Sequence, residues 1–310
     1  MSRLRTIFMG TPDFAVDCLR VMHEKTDVIM VVTQPDRPKG RGQKLTASPV
    51  KLRALEYNLP IWQPEKIKTP DCVKKLQELK PDLIVVVAFG QILSQEILDI
   101  PALGCVNVHA SLLPGYRGAA PIHWAIINGE RETGVTTMLM DAGLDTGDML
   151  LKSRVEITPD MTTGELHDKL AKMGSTLLAD TVDGLAAGTI KGEKQDDSLS
   201  NYASMLTKET ARINWKKSAQ EVHNLVRGLN SWPVAWTILD GKNHKVWQTR
   251  VVEEMGGTPG EVVKITKKSF IVATGDGAVE ILEIQPPSKK RMAAGDFVRG
   301  NGVKIGSIFD

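Results

Sequence analysis

Cysteine is scarce in this chain. Only Cys18, Cys72 and Cys105 occur among 310 residues, scattered, odd in number and without a C-x-x-C pair. That argues against a disulfide framework or a cysteine zinc site and fits a reducing cytoplasm. Long apolar runs are missing too: no stretch approaches the roughly 20 residues of a membrane-spanning helix. The chain enters strand-like sequence at once, Leu4-Arg5-Thr6-Ile7-Phe8, so no signal peptide is expected. No G-x-G-x-x-G or P-loop lysine follows the first strand; Gly10-Thr11-Pro12 stands there instead. A nicotinamide-dinucleotide site is therefore disfavoured, and a tight structural turn is a better reading than an anion cradle. Internal repeats and low-complexity tracts are absent. Net charge is only +2, so the global balance names no partner.

What is present has ordinary globular proportions, 42% hydrophobic and 25% charged, with enough chain for two domains. Strand-like runs fall at 6–9, 28–33, 83–89, 105–109 and 135–140. Helical patterns fall between them, at 14–24, 49–57, 72–79, 91–98 and 119–128. This β-α-β rhythm predicts an α/β fold with a doubly wound, mainly parallel sheet. A helix is predicted over 161–187, followed by polar, glycine-containing sequence. Beyond it lie one helical pattern (219–229) and short strands at 235–239, 245–252, 261–266, 269–273 and 278–285. Many short strands at this spacing predict a small β-barrel. The expected organisation is a first domain over 1–189, a linker over 190–206 and a smaller domain over 207–310. From Lys208 onward there are 16 Lys+Arg against 11 Asp+Glu. That net of +5 leaves −3 for the rest and points weakly to a polyanion partner for the second domain.

The most informative stretch is Val106-Asn107-Val108-His109-Ala110-Ser111-Leu112-Leu113-Pro114. Residues i and i+2 of a strand share a face, so Asn107 and His109 project together at a strand end, where open α/β sheets place their sites. Asn107 offers a neutral N–H to a developing oxyanion, and His109 can donate a proton or, when charged, stabilise the same oxygen. The acidic loop Asp141-Ala142-Gly143-Leu144-Asp145-Thr146-Gly147-Asp148 follows about thirty residues later. A carboxylate there, Asp145, would favour the charged imidazole. Asp141, Asp145 and Asp148 lack calcium-loop spacing, and no second histidine stands near, so no metal is expected. Together these residues suggest acyl-type chemistry on a small carbonyl.

The segment 34–44 carries Arg37, Lys39, Arg41 and Lys44 among two prolines and two glycines. Such charge runs are usually solvated. A long loop at the carboxyl edge of a sheet, however, is placed to meet a phosphate-bearing substrate. Lys289-Lys290-Arg291 opens a helix-like stretch, and a solvated helix end and a phosphate contact are equally open readings. Trp232 and Trp236 are expected in the core or an interface of the small domain. His123 and Trp124 are expected to pack.

On these residues, together with Gly10-Thr11-Pro12-Asp13-Phe14-Ala15, Arg117-Gly118-Ala119-Ala120-Pro121-Ile122 and Trp232-Pro233, the chain resembles the methionyl-tRNA formyltransferase family along essentially its full length. The Asn-x-His, Ser-Leu-Leu-Pro and acidic-loop set marks the wider folate-dependent formyltransferases. The basic loop and β-rich tail point to the tRNA enzymes. Ala110 departs from the glycine expected more often there. The resemblance implies a Rossmann-like catalytic domain and an OB-like tRNA-binding domain. It implies formyl transfer from 10-formyltetrahydrofolate to the α-amine of methionyl initiator tRNA, with no metal, in a cytoplasmic monomer. Asn107, His109 and Asp145 would be catalytic. Folate would lie against Phe89, Gly90, Gln91, Ile92, Leu93, Ser111, Leu112, Leu113, Pro114 and Asp141. The tRNA would meet Arg37, Lys39, Arg41, Lys44, Lys289, Lys290 and Arg291. The competing readings are a sugar-amine formyltransferase, which needs no basic tail, and a non-catalytic RNA-binding protein, which needs no Asn107–His109–Asp145 set. A dehydrogenase is weakest for want of the glycine fingerprint.

Overall fold

Short β-branched runs become strands in the first part of the chain, and the patterns between them become helices. The computed structural model describes residues 3–39, 44–252 and 256–310. Strands β1 (Arg5–Gly10), β2 (Asp27–Val32), β3 (Ile61–Trp62), β4 (Leu83–Val87), β5 (Cys105–His109), β6 (Glu132–Leu139) and β7 (Met149–Glu156) form one sheet. Their order is β7-β6-β5-β4-β1-β2-β3. Neighbours from β3 to β5 run parallel, and β6 runs antiparallel to β5. Helices α1 (Val16–Lys25), α2 (Pro49–Glu56), α3 (Pro70–Leu79) and α4 (Gln95–Leu98) connect the parallel strands. The chain first winds outward from β1 to β3, then returns to the other side of β1 with β4 and β5. That reversal makes a topological switch point at β1/β4, the place where open α/β sheets bind their ligands.

Local chemistry explains these elements. Every residue of β4, Leu-Ile-Val-Val-Val, is buried, as in a strand covered on both faces; each such side chain contributes about 1.5–3 kcal/mol by leaving water. Helix α2 starts on Pro49, and the Ser48 hydroxyl accepts from the Lys51 N–H, a cap for an otherwise unpaired amide. Two further helices follow, α5 (Pro121–Ile127) and α6 (Thr163–Ala187). Before α6, the Thr162 backbone N–H and hydroxyl both donate to the Glu165 carboxylate, and the Glu165 N–H donates back to the Thr162 hydroxyl. No helix among the described residues is long and apolar enough to cross a membrane.

The rest of the chain forms α7 (Ala219–Gly228), β8 (Trp236–Leu239), β9 (Lys242–Val252), β10 (Val262–Ile265), β11 (Phe270–Ala273), β12 (Ala278–Gln285), β13 (Met292–Ala293) and α8 (Ala294–Arg299). The strands make an antiparallel half-barrel in the order β8-β9-β12-β11-β10, with β13 beside β12. The chain's last residues reach both edges of this sheet: Phe309 bridges to Leu239, and Ile308 bridges to Glu261. Phe270 and Phe309 stack inside it, 5.8 Å between centroids.

Contacts divide the chain into two compact units. One comprises Met1–Gly118, Thr133–Val155 and His167–Tyr202; the other comprises Ala119–Glu132, Glu156–Leu166 and Ala203–Asp310. The boundaries expected from sequence, 1–189 and 207–310 about a linker, assign two of these segments differently. Residues 119–132 belong with the second unit because Ala120, Trp124 and Ile127 pack into its core with Val222, Val226 and Ala235. Residues 156–166 belong there because the Arg227 guanidinium donates to the Thr158 and Met161 carbonyls and the Thr163 hydroxyl to Gly228 O.

Other local expectations change as well. The helix expected over 91–98 shrinks to α4. The segment before it is committed to tertiary bonds: Thr11 Oγ1 and Gln34 Nε2 both donate to Phe89 O, and the Gln91 amide bonds Ile67 N and Pro64 O. Among the described residues of the basic stretch over 34–44, Arg37–Lys39 pairs antiparallel with Lys44–Thr46. Trp232, expected in the core or an interface, is 66% exposed, which removes the core placement. Lys289, Lys290 and Arg291 lie between a turn and β13, and the helix begins only at Ala294.

Candidate active site

Strand β5 ends in the two polar residues that its alternation puts on one face, and both side chains meet Asp145. Asn107 Nδ2 donates to Asp145 Oδ1 at 3.5 Å. His109 Nδ1 lies 3.6 Å from Asp145 Oδ2. The His109 side chain is 6% exposed and that of Asp145 15%, so the group is largely shielded from water and its electrostatics are strengthened. His109 Nε2 is 2.9 Å from Tyr116 O. A carbonyl only accepts, so Nε2 carries the hydrogen there. Both ring nitrogens thus face oxygen atoms.

Asp145 sits at φ 54° and Tyr116 at φ 58°, left-handed conformations that cost non-glycine residues about 1 kcal/mol or more. Bonding offsets this around Asp145. Gly118 N donates to its Oδ2 at 2.8 Å. Gln195 Nε2 donates to the backbone oxygens of Asp145 and Gly147, each at 2.8 Å. Arg117 donates from Nε and Nη2 to Gln195 Oε1, at 3.0 and 2.8 Å, and from Nη2 to Asp197 at 2.7 Å. The Ser111–Pro114 turn is fastened under β5: Ser111 Oγ donates to Gly115 O, Thr136 Oγ1 to Ser111 O, and Leu113 N to Thr136 Oγ1.

The residues expected to hold folate divide into two groups. Phe89, Leu93, Ser111 and Leu113 are buried: Phe89, Leu93 and Leu113 in hydrophobic clusters, Ser111 with its hydroxyl on Gly115 O. Ile92 is 79% exposed, and Gly90 is exposed too, at φ 83°. Both follow β4 at the switch point. The Gln91 amide is held by backbone, while Leu112 and Pro114 are half-buried. Asp141 Oδ1 accepts from Gly143 N and Thr146 Oγ1, so this oxygen shapes the acidic loop. The Gly10 turn is tight: an added Cβ would lie 2.8 Å from the Phe8 ring and 2.9 Å from Ala15.

Of the residues expected to meet tRNA, Arg41 lies outside the described residues. Arg37 is exposed and pairs with Glu65 at 3.5 Å. Lys39 and Lys44 sit on the paired strands. Asp36, at the base of that pair, is held by Lys51 Nζ at 2.6 Å and Gln63 Nε2 at 2.8 Å; the Lys51 bond, then the Gln63 bond, keep its carboxyl below the ordinary carboxylate value. Lys289 and Lys290 are exposed. Arg291 pairs with Glu283 and lies over the Trp247 ring, 4.8 Å from its centroid. Sequence reading missed Tyr116, Gly118 and Gln195 as partners of the site. The only local hint was the Arg-Gly dipeptide after the Ser-Leu-Leu-Pro turn.

Two family models match: formyl transferase over residues 4–182, and formyl transferase, C-terminal domain, over residues 205–302. A methionyl-tRNA formyltransferase of Geobacter metallireducens is 53% identical, covering 99% of this chain and 100% of its own. One of Ruminiclostridium cellulolyticum is 52% identical, covering 98% of both. Among solved structures, an N-formyltransferase from Helicobacter canadensis in complex with folinic acid and dTDP-3-aminofucose superposes with a TM-score of 0.70 at 22% identity. That match covers 92% of this chain and 100% of the other; at that identity it speaks for the fold alone.

Proposed function

The chain belongs to the formyl transferase family, and from that premise we propose that it formylates the α-amine of methionyl initiator tRNA using 10-formyltetrahydrofolate. The convergence of Asn107 and His109 on Asp145 at the end of β5 carries the chemistry. The two full-length relatives named methionyl-tRNA formyltransferase support the choice of acceptor.

Esterification lowers the basicity of the methionyl amine, so a neutral nucleophile is available near neutral pH. The amine nitrogen attacks the formyl carbon, and negative charge gathers on the formyl oxygen. The Asn107 amide donates to that oxygen. His109 holds the same charge, its Nε2 exchanging Tyr116 O for the substrate. Asp145 orients His109. Collapse breaks the bond from the formyl carbon to folate nitrogen, leaving tetrahydrofolate and formyl-methionyl-tRNA, and the amine's proton passes to solvent or to the departing nitrogen. The folate ring system would lie at the β1/β4 switch point, where Gly90 and Ile92 are exposed. Arg37, Lys39, Arg41, Lys44, Lys289 and Lys290 would meet tRNA phosphates, and the net +5 of the chain from Lys208 onward suits such a partner. We place this activity in the cytoplasm, where translation begins.

Asn107→Ala tests the oxyanion role. Removing one such donor costs about 10²–10³ in kcat, so single-turnover formyl transfer should fall by that order while KM for both substrates holds. Normal single-turnover chemistry with a large loss of folate or tRNA affinity would contradict it.

A further inference from the structure

Gln195 stands in the stretch expected as linker, yet it uses its whole side-chain amide beside the proposed catalytic carboxylate. Its two N–H bonds go to the carbonyls of Asp145 and Gly147, and its oxygen takes two bonds from Arg117. A primary amide has two donors and two acceptor sites, and all four are engaged here. The Arg117 side chain is 11% exposed, whereas its other partner, the Asp197 carboxylate, is 81% exposed. Gln195 is therefore the better-shielded anchor of the two.

These bonds close a ring. Asp145 O binds Gln195, Gln195 binds Arg117, and the next residue in the chain, Gly118, returns its N–H to Asp145 Oδ2. The ring grips Asp145 at both its backbone and its carboxylate. The gripped residue has a left-handed backbone at φ 54°, a conformation uncommon outside glycine, and these bonds hold it there. Asn107 and His109 reach Asp145 at 3.5 and 3.6 Å, at the limit of direct bonding, so a small displacement of the carboxylate separates them.

We propose that Gln195 is a positioning residue for formyl transfer: with Arg117 it locks the Asp145 loop in the geometry that keeps His109 oriented. The proposal rests on the catalytic reading of Asp145 given above. It assigns to the segment after α6 a part in building the active site. The amide is required as such. A carboxylate at this position keeps the Arg117 pair but turns an acceptor toward the two carbonyls, and a thioether fills the space without either set of bonds.

The test compares Gln195→Met, Gln195→Glu and Gln195→Ala with wild type in formyl transfer from 10-formyltetrahydrofolate to methionyl initiator tRNA, after thermal melts identify the folded variants. Misplacement of a catalytic group by about 1 Å costs on the order of 10²-fold. The single-turnover rate should fall toward that value in all three variants, with KM for folate and tRNA within about twofold of wild type, and Gln195→Glu should not rescue. The same substitutions are then placed on Asp145→Asn. Because Gln195 acts through Asp145, they should slow that background by less than about twofold, the non-additivity of groups that act as one unit.

Wild-type rates in folded Gln195→Met overturn the proposal. So does a loss that simply multiplies with Asp145→Asn, or one confined to KM. A wild-type rate for Asp145→Asn alone is a separate outcome: it overturns the catalytic reading of Asp145, and the positioning role falls with it.

Discussion

Gly147 follows Asp145 by two residues, and its carbonyl is the second oxygen that Gln195 holds. A Cβ at Gly147 would run into the Leu139 carbonyl of β6, so the acidic loop can lie against the strand only because no side chain intervenes. Gly147→Ala must push the loop outward. Overpacking of this kind costs about 1–3 kcal/mol, so a lower melting temperature is expected. Formyl transfer should fall with Asp145 displaced, and wild-type values for both would remove this constraint. Asn107 and His109 were legible in sequence because strand alternation is a local rule, and two polar residues at i and i+2 break an apolar run conspicuously. Gln195 and Arg117 were not, because they meet across 78 positions and no local pattern couples them. Phe89 and Leu93 show the converse: an apolar residue next to a site in sequence carries no local signal of its side chain's direction, and here both side chains pack in the core.

Elements with complete local signals matched expectation most closely. Helix α7 is one: Ser218 accepts from the Glu221 N–H, and the Glu221 carboxylate accepts from the Ser218 N–H, a reciprocal capping box. Ser218→Ala should cost about 1 kcal/mol in urea unfolding at pH 7. The Ser218 backbone bond first, then the bonds from Lys217 and the Ser218 hydroxyl, lower the Glu221 carboxyl from 4.5 to about 2. A lowered folded-state value stabilises above the unfolded one, and that contribution disappears as pH falls from 4.5 toward 2. Glu221→Gln should therefore destabilise at pH 7 and make little difference near pH 2; an equal penalty at both would contradict the sign. Strand β7 was missed because it is a half-exposed strand at the sheet's edge: Lys152, Arg154 and Glu156 are exposed at alternate positions, a charge pattern that protects edges and hides a strand's apolar signature. The four-residue α4 was overestimated because tertiary bonds to Phe89 and Gln91 override the helical pattern before it.

At the scale of the whole molecule, two kinds of unit were readable from rhythm alone: alternating strands and helices first, then short strands between turn signals. Their composition was less readable. Helix α5 lies in sequence between β5 and β6, yet its Trp124 and Ile127 share a core with α7, because a contact boundary need not be a single point in the chain. The cysteines follow the same division between local and global information. Their scatter argued against disulfides, and burial pushes the Cys18 and Cys105 thiols up to about 12, far from the reactive thiolate. The acceptor is the property of the whole chain that matters most, since a basic C-terminal region separates a tRNA substrate from a small amine. The most direct measurement supplies purified full-length protein with 10-formyltetrahydrofolate and three acceptors in parallel: methionyl initiator tRNA, methionyl elongator tRNA and an amino-sugar nucleotide. Formyl-methionine should accumulate on the initiator tRNA and far less on the other acceptors; formylation of the amino sugar with none on initiator tRNA would contradict the account.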